Sequence, residues 1–212
     1  MSEFKVLLID NLTSGTFHLR TERPTGLIRA GQCFNLGLPG MEINREYSMY
    51  SDANADYLDF LIRVVDGGLV SSRLQRVKIG EYVEIDGPYG NFCMQETKLR
   101  NEFYFIGTGT GIAPFHSFIK TYSDLNYKLI HGIRKGSEQY HKLDYSENKY
   151  IPCISQEKNS KYLRVTDYLI AENLDKNSDY YLCGNRKMII DSIDILHHKG
   201  ISGDNIFTEV FF

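Results

Sequence analysis

Two short stretches hold the residue types from which redox chemistry could be built. Arg45-Glu46-Tyr47-Ser48 joins a cation, an aromatic plate and a hydroxyl in one run. If the run is a strand, alternation puts Arg45 and Tyr47 on one face and Ser48 on the other. An arginine can pair with a diphosphate through two parallel hydrogen bonds. A tyrosine ring can lie flat on a fused heterocycle such as a flavin. The second stretch, Gly107-Thr108-Gly109-Thr110-Gly111-Ile112-Ala113-Pro114, is a glycine-rich turn between a predicted strand and a predicted helix. Glycines let the backbone approach a pyrophosphate, and a helix start near Ile112 offers free amides and a positive dipole end. Gly68-Leu69-Val70-Ser71-Ser72 is a second candidate anion site at the start of a short helix.

The glycine spacing is G-x-G-x-G rather than the G-x-G-x-x-G dinucleotide fingerprint, so it also reads as a plain tight turn. The acidic residue expected about 20 residues further on, to hold a ribose hydroxyl, is missing. Gly132-Ile133-Arg134-Lys135 stands there instead, and its cations suit a 2′-phosphate. Lys158, Lys161 and Arg164 follow the next strand and read equally as a solvated loop.

These residues need elements to hold them. Residues 4–9, 16–21, 32–36, 47–51, 58–65 and 82–86 are short apolar or β-branched runs bounded by turn formers. With a short helix over 69–77, they predict an N-terminal antiparallel β-barrel. Near residue 98 the pattern changes. Strands at 103–106, 127–133, 150–155, 180–183 and 206–210 alternate with helices at 112–121, 137–143, 165–171 and 187–198. Ser137 is the expected cap of the second helix, and Gly200 closes the last. Such alternation predicts an α/β doubly wound parallel sheet. The predicted domains are residues 1–98 and 99–212.

Composition narrows the classes. The 212 residues are 42% hydrophobic and 24% charged, with net charge −3, so no bulk basic character points to nucleic acid. No apolar run approaches the roughly 20 residues needed to cross a bilayer. The N-terminus lacks a basic region followed by an apolar core, so a cytoplasmic protein without membrane insertion is expected. Cys33, Cys93, Cys153 and Cys183 are dispersed and form neither a zinc knuckle nor an iron–sulfur loop. If the protein handles single electrons, its iron–sulfur partner is expected to be a separate molecule. His197-His198 point about 100° apart on a helix, a poor metal pair, and no metal is expected.

Taken in order, the motifs resemble the ferredoxin–NADP⁺ reductase family over nearly the whole chain. Arg45-x-Tyr47-Ser48 resembles its flavin motif R-x-Y-[ST], and Gly68-Leu69-Val70-Ser71 its flavin-pyrophosphate turn. Gly87-Pro88-Tyr89-Gly90-Asn91-Phe92 is similar to the turn closing its barrel. Residues 107–114 resemble its nicotinamide-nucleotide turn, Cys183-Gly184-Asn185 its C-G-[NDP] turn, and Glu209-Val210-Phe211 its E-x-aromatic ending.

The resemblance implies residue roles. Arg45 would neutralise the flavin diphosphate, Tyr47 stack on the ring and Ser48 bond near N5. Ser71, with the amides of Gly68, Val70 and Ser72, would hold phosphate. Gly107, Thr108, Gly109, Thr110, Gly111, Pro114, Gly184 and Asn185 would seat the dinucleotide, with Arg134 and Lys135 at its 2′-phosphate. Cys183 and Glu209 would act beside the nicotinamide and the ring, and Phe211 or Phe212 would cover the other ring face. The expected cofactors are FAD, favoured over FMN although the absence of a long adenine-covering insertion weighs toward FMN, and NADPH, with NADH possible. Where the family often has Ser-Arg for the 2′-phosphate, this chain reads Ser155-Gln156. The implied activity is electron transfer between NADPH and a separate ferredoxin or flavodoxin. The alternatives are an NADH-dependent reductase component of an oxygenase, and an electron-transfer subunit of a larger complex.

Overall fold

The computed structural model describes residues 1–95 and 102–211. The expected 98/99 boundary and Phe212 lie outside the described residues. The chain divides into two compact units, Met1–Met94 with Ala113–Tyr122, and Gln95–Ile112 with Ser123–Phe212.

The first unit is a six-stranded sheet of β1 (Ser2–Thr13), β2 (Thr16–Glu22), β3 (Cys33–Gly37), β4 (Arg45–Ser48), β5 (Tyr57–Arg63) and β6 (Tyr82–Tyr89). Its order is β4-β3-β6-β1-β2-β5, and every pairing is antiparallel. A bridge between Met49 and Phe60 joins the two edges, so the sheet closes on itself. Phe17 and Leu19 on β2, and Leu58, Phe60 and Ile62 on β5, recur every second residue and are fully buried. Burial of such side chains stabilises the unit by about 2 kcal/mol each. The predicted helix over 69–77 is only α1 (Ser71–Leu74).

One helix, α2 (Ala113–Thr121), groups with this unit rather than with the parallel sheet. Phe115 and Phe118 each lie 6.1 Å, ring to ring, from Phe92. His116 stacks on Tyr50 at 3.8 Å, and its Nδ1–H donates to the Tyr50 carbonyl at 2.6 Å. Thr121 Oγ1 accepts from the Ala53 amide at 2.9 Å. These partners are far from α2 in sequence and could not be read from its periodicity.

The second unit contains β7 (Glu102–Thr108), β8 (Asn126–Ile133), β9 (Tyr150–Ile154), β10 (Asp179–Asn185) and β11 (Ile206–Phe211). All are parallel, in the order β11-β10-β7-β8-β9. Phe103, Tyr104, Phe105 and Ile106 are all buried, the both-faces burial of a central parallel strand. Tyr104, Ile106, Ile130 and Leu182 pack in one cluster with Leu169 of α3 (Val165–Ala171) and with Ile189 and Leu196 of α4 (Arg186–His198). Gly200 follows α4 at φ +81°, the left-handed stop expected there.

The helix predicted over 137–143 does not form. Two 3₁₀ turns, Gly136–Glu138 and Lys142–Asp144, replace it, separated by His141 at φ +46°. Ser137 caps nothing, because the turn begins after Lys135. Tyr140 is drawn into the core, its ring 6.1 Å from that of His131, which an exposed helix would not allow.

Candidate functional site

The nucleotide turn is built at the carboxyl end of β7. Gly107 and Thr108 end the strand, and Gly109–Ile112 form a 3₁₀ turn leading into α2. Gly109 has φ +55°, and a Cβ there would meet nothing within 4 Å, so the turn faces open space. Gly111 is the reverse case: a Cβ would lie 2.5 Å from the Cys183 carbonyl oxygen. Gly184 has φ +123°, and its Cβ would lie 2.6 Å from Thr108 Oγ1. The Asn185 amide donates to Thr108 Oγ1 at 3.1 Å. Thus Thr108, Gly111, Cys183, Gly184 and Asn185 interlock, with β10 and β7 in register at Cys183 and Gly107. Asn185 then caps α4, its side chain accepting from the Lys187 and Met188 amides at 3.0 and 3.3 Å. Pro114 sits in the first turn of α2, where a missing N–H costs nothing.

Cys183 and Glu209 face each other across β10 and β11. The thiol donates to Glu209 Oε2 at 3.7 Å. Full burial, then the Glu209 carboxylate, push the thiol well above its ordinary range. Cys183 is therefore a protonated thiol rather than a nucleophile. Phe211 is half-buried at the end of β11.

In the first unit, β4 pairs with β3 so that Tyr47 opposes Phe34 and Arg45 opposes Leu36. Arg45 is exposed, with Nη1 donating to the Asn44 carbonyl at 2.7 Å. Tyr47 is half-buried, and burial pushes its phenol up to about 12 against the opposing pull of Arg45. At neutral pH it is an uncharged plate. Ser48 is buried opposite Cys33. At residues 67–72 the turn bends at Gly67, which has φ +70° and open space beside it. Val70 is the N-cap of α1. The Ser71 hydroxyl accepts from the Val65 amide at 3.0 Å, and Ser72 Oγ donates to the Gly68 carbonyl. These contacts fix the loop and leave the first amides of α1 without intrahelical acceptors.

Arg134 and Lys135 are both exposed at the end of β8. Two carboxylates flank them. Glu138 Oε2 accepts from the Arg134 amide at 3.0 Å, and Glu157 Oε1 from the Gly136 amide at 2.6 Å. The Gln156 amide donates to the Arg134 carbonyl at 2.9 Å, so Ser155-Gln156 lies beside the cations. Lys161 pairs with Glu172 at 3.3 Å.

Motif reading missed His131. It is fully buried on β8, in register with Gly107. Its Nε2 lies 2.8 Å from the Gly109 carbonyl and its Nδ1 2.9 Å from the Tyr150 hydroxyl. A carbonyl only accepts, so Nε2 carries the proton and Tyr150 donates to Nδ1. A lone histidine in a strand gives little sequence signal; only the register of two adjacent parallel strands would have set it beside the turn.

Burial lowers His131 from 6.5 to about 4. The unfolded chain therefore takes up this proton first. The group's stabilisation is complete above pH 6.5 and is lost as pH falls toward about 4, on the order of 3 kcal/mol in all. Unfolding free energies at pH 7 and 4.5 should fall further in the wild type than in His131→Gln. Equal losses in both proteins would assign the acid sensitivity to other groups.

Comparison with known proteins agrees with this geometry. Residues 5–94 match the family model described as an oxidoreductase FAD-binding domain, and residues 105–193 match an oxidoreductase NAD-binding domain. The electron transfer component of toluate 1,2-dioxygenase from Pseudomonas putida is 30% identical over 85% of this chain and 58% of its own length. A ferredoxin–NADP reductase from Azotobacter vinelandii is 25% identical over 93% of this chain and 89% of its own. The crystal structure of a ferredoxin NADP⁺ reductase from Neisseria gonorrhoeae, with bound FAD and NADP, superposes with TM-score 0.88 at 22% identity, covering 100% of this chain and 98% of that one. This protein is thus built as a flavin-binding barrel followed by a nicotinamide-nucleotide sheet. The chain belongs to the ferredoxin–NADP⁺ reductase family of flavin- and NAD(P)-binding oxidoreductases. It spans about 60% of the length of the first oxygenase-component relatives. Among the described residues, no helix is long and apolar enough to cross a membrane.

Proposed function

We propose that the chain is a reductase that moves electrons between NADPH and a separate ferredoxin or flavodoxin. The observation that supports this most is the interlocked turn at Thr108, Gly111 and Gly184, open to solvent at Gly109, with Arg134 and Lys135 exposed at the end of the next strand. In this reading residues 1–98 bind the flavin and residues 99–212 the nucleotide. Arg45 neutralises the flavin diphosphate by a charge-assisted fork. The uncharged Tyr47 ring supports one face of the isoalloxazine and Ser48 hydrogen-bonds near N5; Phe211 or Phe212 is the aromatic proposed for the other face. The amides of Val70, Ser71 and Ser72 take the phosphates, the expected Gly68 amide being already spent on the Val65 carbonyl at 2.8 Å, and open space at Gly67 leaves them room. Gly107, Thr108, Gly109, Thr110, Gly111, Pro114, Gly184 and Asn185 seat the dinucleotide. Cys183 keeps its proton on the hydrogen bond to Glu209 and shapes the approach of the nicotinamide. FAD, when bound, supplies the exchange of a two-electron hydride for single electrons. The chain's own contribution is then orientation, since hydride transfer depends on how the reactants are held.

A second reading follows from the carboxylates of Glu138 and Glu157 beside Arg134 and Lys135. Two anions disfavour a dianionic 2′-phosphate, which points to NADH and to an oxygenase component as electron acceptor, in line with the relatives that are oxygenase components. A cytoplasmic location fits four free cysteines.

The freshly purified protein should be yellow, and titration with each reduced nicotinamide under anaerobic conditions should bleach it. Under the first reading NADPH gives the lower KM. A lower KM for NADH moves the assignment to the second reading, and a colourless protein that bleaches with neither would sink both.

A further inference from the structure

We propose that His131 is a positioning residue for the nucleotide turn, holding the Gly109 carbonyl inward so that the Thr110 amide is presented to a bound pyrophosphate. The inference rests on the nucleotide-binding reading of the second unit. A trans peptide sets its C=O and the following N–H in opposite directions. The described residues hold one cis bond, Gly87-Pro88, so the Gly109-Thr110 peptide is trans. The Gly109 oxygen is fixed at 2.8 Å from the Nε2–H of a fully buried ring. The Thr110 N–H must then point away from His131. Gly109 has open space where a Cβ would stand, so the turn leaves room for a ligand beside this N–H. As an early amide of the turn, it also has no helical acceptor of its own.

Two features make this more than packing. Gly109 is at φ +55°, and a glycine flips its peptide more readily than any other residue, so an external hold on the carbonyl matters at this position. The hold is itself held: Tyr150 donates to Nδ1 at 2.9 Å, which leaves Nε2 as the nitrogen that bears the proton. His131, Tyr150 and Gly109 thus form a chain of donors running from β9 through β8 to the turn. Neither ring nor hydroxyl touches a nucleotide in this account; both act through the backbone.

The test uses the flavin-loaded protein and ADP-ribose, which carries a pyrophosphate but no nicotinamide. Binding is measured by calorimetry, with the flavin spectrum and melting temperature recorded in parallel. His131→Leu should weaken ADP-ribose about tenfold, the worth of one well-placed hydrogen bond. His131→Gln offers an N–H near the site of Nε2 and should stay within about threefold of wild type. Rescue by glutamine but not leucine is what a merely space-filling histidine would not show. Wild-type affinity in His131→Leu, or equal losses in both variants, overturns the proposal. Should His131→Leu lose its flavin or its cooperative melt, Tyr150→Phe decides. That variant keeps the ring and should still bind ADP-ribose several-fold more weakly, and unchanged affinity would overturn the idea. A wild-type protein that binds no ADP-ribose removes the nucleotide reading itself, and this inference with it.

Discussion

Gly184→Ala should lose NAD(P)H-driven flavin reduction by at least about a hundredfold, while the protein still carries its flavin. The backbone at Gly184 has φ +123°, where an L side chain is strained, at about 1–3 kcal/mol. The new Cβ would also lie 2.6 Å from Thr108 Oγ1, 3.0 Å from the Thr108 carbonyl oxygen and 3.2 Å from its amide nitrogen. Backbone atoms cannot swing aside as a long side chain can. Relief requires β10 to move against β7, which breaks the Asn185–Thr108 hydrogen bond and shifts the cap of α4. The same movement displaces Cys183 from Glu209. None of these residues belongs to the barrel unit, so flavin content should hold. Anaerobic rapid mixing gives the reduction rate, and the released flavin gives occupancy. A reduction rate within threefold of wild type would show that the interlock is not required.

Arg45→Ala should weaken flavin retention by about ten- to a hundredfold, the value of a charge-assisted double hydrogen bond. The residue stands exposed at the start of an edge strand, so its removal leaves no cavity. Arg45→Lys keeps the charge but not the fork and should fall between the two. Dialysis in dilute, high-salt buffer followed by an absorption spectrum measures the loss. Full occupancy of Arg45→Ala under those conditions would remove Arg45 from the flavin site.

Much of the frame could be read from local pattern. The strands of the barrel showed as apolar runs cut by Gly, Asn and Asp, and α3 and α4 fell where 3.6-residue spacing put them. Glycines at the ends of β7 and β10 marked close backbone approach, and the structure gives the reason at Gly111 and Gly184. Reading failed where distant partners decide. Residues 137–143 carry helix-tolerant side chains, yet burial of Tyr140 and a left-handed His141 override them. Helix α2 has the face of a sheet-packing helix but shares Tyr50, Ala53 and Phe92 with the barrel. His131 acquires meaning only through Tyr150 and Gly109, which lie 19 and 22 residues away. Alternation placed Arg45 and Tyr47 on one face, but nothing local showed that Ser72 would spend its hydroxyl on Gly68.

The protonated state of Cys183 reaches beyond its geometry. Peroxide, maleimides and other soft electrophiles attack the sulfur anion, and this sulfur is sealed from solvent and holds its hydrogen. Under the proposed function, electrons lost to dioxygen would yield peroxide close to the protein that releases them. A sulfur that is buried and keeps its hydrogen would react only slowly with such an oxidant.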